Sequence, residues 1–325
     1  MKLAKTYSYL KRDLDIIEEA LAEVIQADHP VLREASTQLL KAGGKRIRPV
    51  FVLLSGKLGN DFQIEKIKTV AISLELIHMA TLVHDDVIDD AELRRGKPTI
   101  KKQYGNRVAM YTGDYILARA LENITTLRNA NIHRTLSKTL VEVSLGEIEQ
   151  IKDKFNWDQN LRTYLRRIKR KTALLIATSC KLGAITAGLS EKEINYLYQY
   201  GYNIGMSYQI IDDILDFTSS SEKLGKPAGN DLIQGNITLP VLLGMKDQTF
   251  SQLLHQTFTD ANSHVTEKDM TQLITALKQT DAIDLSYKVS DMYLNKAIDN
   301  LNKLPDNKSK QTLESIAKII GKRTS

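Results

Sequence analysis

The sequence predicts an all-α fold, and two observations carry that prediction. Apolar residues recur at three- and four-residue steps along most of the chain, the spacing that lines one face of an α-helix. Alternation with a period of two, the mark of a half-buried strand, never persists beyond a few residues. Glycine, proline and asparagine separate the helical runs at Gly43-Gly44, Pro49, Gly59-Asn60-Asp61, Gly96-Lys97-Pro98, Gly188, Gly225 to Gly229 and Pro240. Roughly ten to twelve helices and no strand are expected.

In chain order, the start MKLAKTYSYLKRDLDIIEEAL is amphipathic and charged, with Ile16, Ile17, Leu21 and Ile25 on one face. It has no continuous apolar segment of signal-peptide type. After GGKRIRP comes a central apolar helix marked by Leu74, Ile77, Thr81 and Leu82, which runs into HDDVIDD. RIKRKTALLIATS opens another apolar helix, and YQIIDDILDFT ends a third. From about residue 245 the chain turns polar, as in KDQTFSQLLHQTFTDANSHVTEKD, before Leu294, Ile298 and Leu301 resume the helical step. Residues 245–325 therefore read as a peripheral helical part. With no Gly/Ser- or Pro-rich linker, the expectation is one domain over residues 1–325. No solenoid repeat stands out, and no run approaches the roughly 20 apolar residues of a membrane span.

Composition narrows the function classes. The chain has 42% hydrophobic residues, enough for a large core, and a single cysteine, Cys180, so an internal disulfide is impossible. The formal charge of +6 suggests an anionic partner: nucleic acid, anionic membrane or phosphorylated metabolite. Nucleic acid is disfavoured, because the cations are dispersed among aspartates and aromatics are only 6%.

The chemistry concentrates in two clusters of the same form, D-D-x-x-D: Asp85, Asp86 and Asp89, then Asp212, Asp213 and Asp216. On a helix, residues i and i+4 share a face, so Asp85 with Asp89, and Asp212 with Asp216, each aim two carboxylates at one point. Such like-charged pairs destabilise a helix unless a cation sits between them. Hard oxygen donors with no His or Cys among them point to Mg²⁺, which joins carboxylates to substrate phosphates. Basic residues lie nearby: Lys45 and Arg48 in GGKRIRP, Arg94 and Arg95 after the first cluster, Lys171 beside Thr172, and Lys226 after the second. Arginine offers a planar fork and lysine a point charge to phosphate oxygens, so two phosphate-bearing substrates are suggested. GGKRIRP does not fit the P-loop pattern.

These motifs, with GDYILARA, the KT pair and the TLP segment, resemble the trans-type isoprenyl diphosphate synthases. Within that family the likeness is to the large catalytic component of heterodimeric bacterial hexaprenyl and heptaprenyl diphosphate synthases. The resemblance implies a single helical bundle around a deep central cavity, with the aspartate helices facing each other and three Mg²⁺ ions bridging them to an allylic diphosphate. By position it assigns Lys45, Arg48, His78 and Arg95 to isopentenyl diphosphate. Arg94, Lys171, Thr172, Gln209 and Lys226 fall to the allylic diphosphate, and Asp85, Asp86, Asp89, Lys171 and Asp212 to catalysis. Asp114 in GDYILARA reads as structural. Asn236 stands where many relatives carry a lysine, which puts one cationic contact in doubt.

The implied reaction ionises the allylic C–O bond, lets the isopentenyl double bond attack the carbocation, and loses a proton to the released diphosphate. Farnesyl diphosphate is the expected primer and a menaquinone-type side chain the expected use. Ala80 and Thr81, small residues just upstream of the first cluster, and Ile77 one turn further set product length on this reading. A small non-identical subunit is the expected partner, with a homodimer as the other arrangement. A cytoplasmic location without membrane insertion is expected. Two rivals are weighed: a non-catalytic or partner-dependent subunit, and a class I terpene cyclase. The intact DDILD speaks against the cyclase.

Overall fold

Short-range polar chemistry starts several of the helices. Thr99 accepts a hydrogen bond from the Lys102 amide at 3.1 Å and opens helix Ile100–Thr125. Asn160 does the same for helix Leu161–Ile168 through the Thr163 amide at 3.1 Å. Thr266 and Asp269 close a reciprocal capping box at the head of helix Glu267–Lys278. The computed structural model describes residues 5–94, 96–219, 228–259 and 265–322.

Those residues are helical almost throughout, as the periodicity predicts. There are more helical segments than expected, because pieces such as Asn230–Ile233 and Leu239–Gly244 are too short to establish a period. One two-residue antiparallel ladder was not foreseen: Leu93 faces Pro98 and Arg94 faces Lys97, with Gly96 at φ 75. Lys226 and Arg95 lie outside the described residues.

The chain forms two compact units, each assembled from separated stretches. The first comprises Met1–Leu140, Leu175–Gly201 and Asn300–Ile316. Its centre is helix Ile64–Ile88, which packs against helices Ile100–Thr125 and Ile47–Gly56. Helix Leu174–Thr186 approaches this layer so closely that a Cβ at Gly183 would meet the Val52 carbonyl oxygen at 2.4 Å. Among the described residues, Ile64–Ile88 is long and apolar enough to cross a membrane by length and composition alone, a run the sequence reading passed over. Ile67 and every residue from Val70 to Ile77 are buried, which is how the core helix of a folded chain also satisfies that test.

The second unit comprises Val141–Leu174, Tyr202–Asp299 and Ala317–Ser325. Tyr164, Met206, Ile210, Ile214, Phe217 and Leu232 are at its core. The helix Glu191–Thr218 enters this unit at Tyr202 and carries the second aspartate cluster. The expected polar peripheral part contributes Phe250, Leu254, Leu273 and Leu277 to the same core.

Candidate active site

In the first unit, Asp85, Asp86 and Asp89 stand at the C-terminal end of helix Ile64–Ile88. Negative charge there opposes the helix dipole, so the arrangement is unfavourable locally and needs an external partner. Arg94 is that partner for Asp86: its Nε and Nη2 donate to the same Oδ1 at 2.9 and 2.8 Å. The two-residue ladder puts Arg94 in place. Asp86 is nearly fully buried, and burial raises its pKa even though the Arg94 guanidinium pulls the other way. Asp90, turned out at φ 52, pairs with Lys101, which lowers its pKa.

His78 sits half-buried on the same helix, beside a small pocket that Gly43, Arg46, Glu75, Met79 and Arg94 also line. Lys45 is exposed on the segment leading into helix Ile47–Gly56, and Arg48 is half-buried in the first turn of that helix. Asp114 lies 3.2 Å from His84 Nε2, and the His84 ring fills the space where Gly113 lacks a Cβ. Ile77 and Ala80 are buried, while Thr81 is half-buried and donates to the His78 carbonyl at 2.8 Å.

In the second unit, Asp213 is 3% exposed and sits in a hydrogen-bond network. Tyr164 Oη donates to one of its oxygens at 2.7 Å and Gln209 Nε2 to the other at 2.8 Å. Thr172 Oγ1 in turn donates to Gln209 Oε1 at 2.6 Å. Lys171 and Thr172 lie on a π-helical turn, Lys169–Ala173, a departure from α geometry that recurs at functional sites. Lys171 Nζ donates to Gln150 Oε1 at 2.9 Å. Asp216 is buried and accepts the Asp231 amide at 3.2 Å, whereas Asp212 is exposed. A cavity of about 210 Å³ opens among Gln150, Arg167, Lys171, Gln209, Asp212, Asp213, Asp231 and Asn236. Arg167 is buried there, held by Gln159 Oε1 at 3.0 Å and by the Ile237 carbonyl.

Sequence reasoning singled out Lys171, Thr172, Gln209, Asp212 and Asp213; the structure places Lys171, Gln209, Asp212 and Asp213 around one cavity and bonds Thr172 to Gln209. Sequence reasoning missed Tyr164, Gln150, Arg167 and Asp231, whose partners are remote in sequence or, for Arg167, a backbone carbonyl.

The donors are all carboxylate oxygens, which suits a hard cation such as Mg²⁺. Among the described residues no three His, Cys, Asp or Glu side chains gather closely enough to enclose an ion. Mg²⁺ takes one or two carboxylates together with waters and substrate phosphates, so an open arrangement fits it better than a closed cage.

Burial first, then the charge of Asp231, pushes the Asp213 carboxyl up to about 7, against the opposing hydrogen bonds. Below about pH 4 the folded and unfolded chains both hold this proton. Between about pH 4 and 7 only the folded chain keeps it, so stability falls as pH rises through that window. The loss is on the order of 4 kcal/mol. Urea unfolding in a chelator is expected to show the midpoint dropping from pH 5 to pH 7.5, with Asp213→Asn flattening most of the drop. An equal drop in parent and variant would exclude Asp213 as its source.

Residues 29–277 match the family described as polyprenyl synthetase. The chain is 60% identical to heptaprenyl diphosphate synthase component 2 of Bacillus subtilis, over 99% of this chain and 91% of that one. It is 54% identical to the protein of the same name from Geobacillus stearothermophilus, over 99% of each. The crystal structure of heptaprenyl diphosphate synthase from Staphylococcus aureus superimposes with a TM-score of 0.92 at 44% identity, covering 97% of this chain and 99% of that one. A polyprenyl synthase from Caulobacter crescentus, complexed with calcium and isoprenyl diphosphate, superimposes at 0.93 with 28% identity, covering 99% and 98%.

Proposed function

This chain belongs to the polyprenyl synthetase family, and from that premise we propose that it condenses isopentenyl diphosphate onto farnesyl diphosphate to give an all-trans hexaprenyl or heptaprenyl diphosphate. Its class is that of a long-chain trans-prenyltransferase. The observation that carries this is 60% identity, over nearly the whole chain, to a heptaprenyl diphosphate synthase component, with both D-D-x-x-D clusters intact. The same clusters weigh against a non-catalytic subunit and against a terpene cyclase.

Family members depend on Mg²⁺ in general, and we assign Asp85, Asp86, Asp89, Asp212, Asp213 and Asp216 to holding it, with three ions as the proposed number. Bound there, Mg²⁺ supplies charge neutralisation for the departing diphosphate. The chain's own residues do the rest. Lys171 adds positive charge, and the Thr172–Gln209–Asp213 chain of hydrogen bonds fixes its neighbours for the allylic diphosphate, with Lys226 as a further contact. Lys45, Arg48, His78 and Arg95 hold isopentenyl diphosphate. Arg94, whose fork is turned to Asp86, is assigned to the allylic diphosphate beside that carboxylate. Asn236 lines the cavity beside the buried guanidinium of Arg167, so positive charge is retained there without a lysine. No motif side chain is a ready base, and the released diphosphate takes the proton.

The relatives' designation as component 2 supports a small non-identical partner subunit, and we propose a heterodimer. A single synthase domain, a cytoplasmic location and a product destined for a menaquinone side chain complete the reading. The test incubates the purified chain with Mg²⁺, labelled isopentenyl diphosphate and farnesyl diphosphate, with and without an extract lacking the chain. Products of six or seven isoprene units are expected, with the extract required if the partner is. No incorporation under either condition would overturn the synthase reading.

A further inference from the structure

Of the three cations in GGKRIRP, the assigned chemistry uses Lys45 and Arg48 and leaves Arg46 over. Arg46 occupies the left-handed region at φ 46, a conformation that residues with a Cβ avoid unless their surroundings impose it. Its guanidinium, 14% exposed, imposes it here. Nε and Nη2 donate to the two oxygens of Glu18 at 2.7 and 2.6 Å, and Nη1 donates to Glu75 Oε1 at 3.1 Å. Nη2 also reaches the Leu40 carbonyl at 3.4 Å. Glu75 is only 4% exposed, and its second carboxylate oxygen accepts no hydrogen bond among the described residues.

Only the Arg46–Glu75 pair is enclosed, Glu18 being 45% exposed, and an enclosed ion pair is a poor device for stability alone, because desolvating its charges offsets most of their attraction. Its position suggests another use. Glu75 lies three residues before His78, on the same face of helix Ile64–Ile88. Arg46 and Glu75 line the small pocket that His78 also lines. Arg46 thus ties the helix of His78, and helix Lys11–Val24 through Glu18, to the segment that carries Lys45 and Arg48 on either side of it.

We propose that Arg46 is a positioning residue: clamped by Glu18 and Glu75, it holds the Gly43–Arg48 segment in a strained conformation that presents Lys45 and Arg48, together with His78, to one diphosphate. The inference rests on the assignment of those three residues to isopentenyl diphosphate. Without the clamp the backbone at residue 46 relaxes and the two flanking cations lose their register, while the ionisation chemistry is untouched.

Three variants test this in whichever preparation, with or without extract, incorporates isopentenyl diphosphate. Arg46→Lys keeps the charge and loses the fork. Glu18→Gln weakens the clamp at its more exposed end and spares the fold. Lys45→Ala removes a proposed ligand. Each substrate is varied with the other saturating. Arg46→Lys is expected to raise KM for isopentenyl diphosphate about tenfold and Glu18→Gln about threefold, the scale of one or part of one charged hydrogen bond. KM for farnesyl diphosphate and kcat should stay within about twofold. Equal changes for both substrates, or a fall in kcat alone, would mark a general structural role and overturn the proposal. A raised KM in Lys45→Ala with none in the other two would overturn positioning but keep the subsite. An unchanged KM in Lys45→Ala would overturn both.

Discussion

Asp85→Ala is expected to lower kcat by about 10²–10³-fold without destabilising the protein. The two halves of that expectation have separate physical sources. Asp85 shares a helix face with Asp89 and stands in the last turn, where the dipole already disfavours negative charge. Removing one carboxylate relieves repulsion worth a few tenths of a kcal/mol, so the melting temperature should hold or rise slightly. A residue kept for packing would show the opposite. Asp86→Ala provides the contrast, because Asp86 is 4% exposed and takes two hydrogen bonds from Arg94. Its loss strands a guanidinium and should cost about 1–3 kcal/mol as well as activity. Steady-state kinetics and thermal unfolding of both variants separate the roles. A kcat for Asp85→Ala within about fivefold of the parent would remove this carboxylate from the chemistry.

What could be read from the sequence and what could not divide along one physical line. The helices and both aspartate clusters are local patterns: a period of 3.6 records which face is buried, and a D-D-x-x-D spacing places two carboxylates one turn apart. The partners of those carboxylates are not local. Tyr164 reaches Asp213 across 49 positions, and Arg46 reaches Glu18 and Glu75 across 28 and 29. Tyrosine, arginine and glutamate are ordinary residues for a helix surface, so nothing in their own neighbourhoods announces the pairing. The π-helical turn at Lys169–Ala173 leaves no periodic trace either, although it carries Lys171 and Thr172. Gly113 looks like any helical glycine until the His84 ring is found where its Cβ would be. Arg46 shows the cost of reading a motif by composition: GGKRIRP offers three equivalent-looking cations, and only the fold shows that one of them is turned inward onto two carboxylates.

Thr81→Phe is expected to shift the main product to a shorter chain, and the structure makes it the better of two possible tests. Both Ala80 and Thr81 are small residues just upstream of the first aspartate cluster, but they occupy different faces. Ile77, Thr81, Asp85 and Asp89 follow one another at i, i+4 steps, so Thr81 lies beneath the carboxylates at about 6 Å and Ile77 at about 12 Å along the helix. Ala80 is turned about 100° away and is 1% exposed, enclosed in the core of its unit. A phenylalanine at residue 80 would overpack that core at a cost of about 1–3 kcal/mol, which mixes a folding defect with any effect on product. Thr81 is half-buried, and among the described residues its hydroxyl bonds only to the His78 carbonyl one turn back, so the larger ring has somewhere to go. The product of Thr81→Phe should lose at least one isoprene unit with little change in the first condensation, because the obstruction lies below the carboxylates rather than among them. Thin-layer chromatography of the dephosphorylated products reads the result. Unchanged product length in both Thr81→Phe and Ala80→Phe would mean that the growing chain does not pass along this face of the helix.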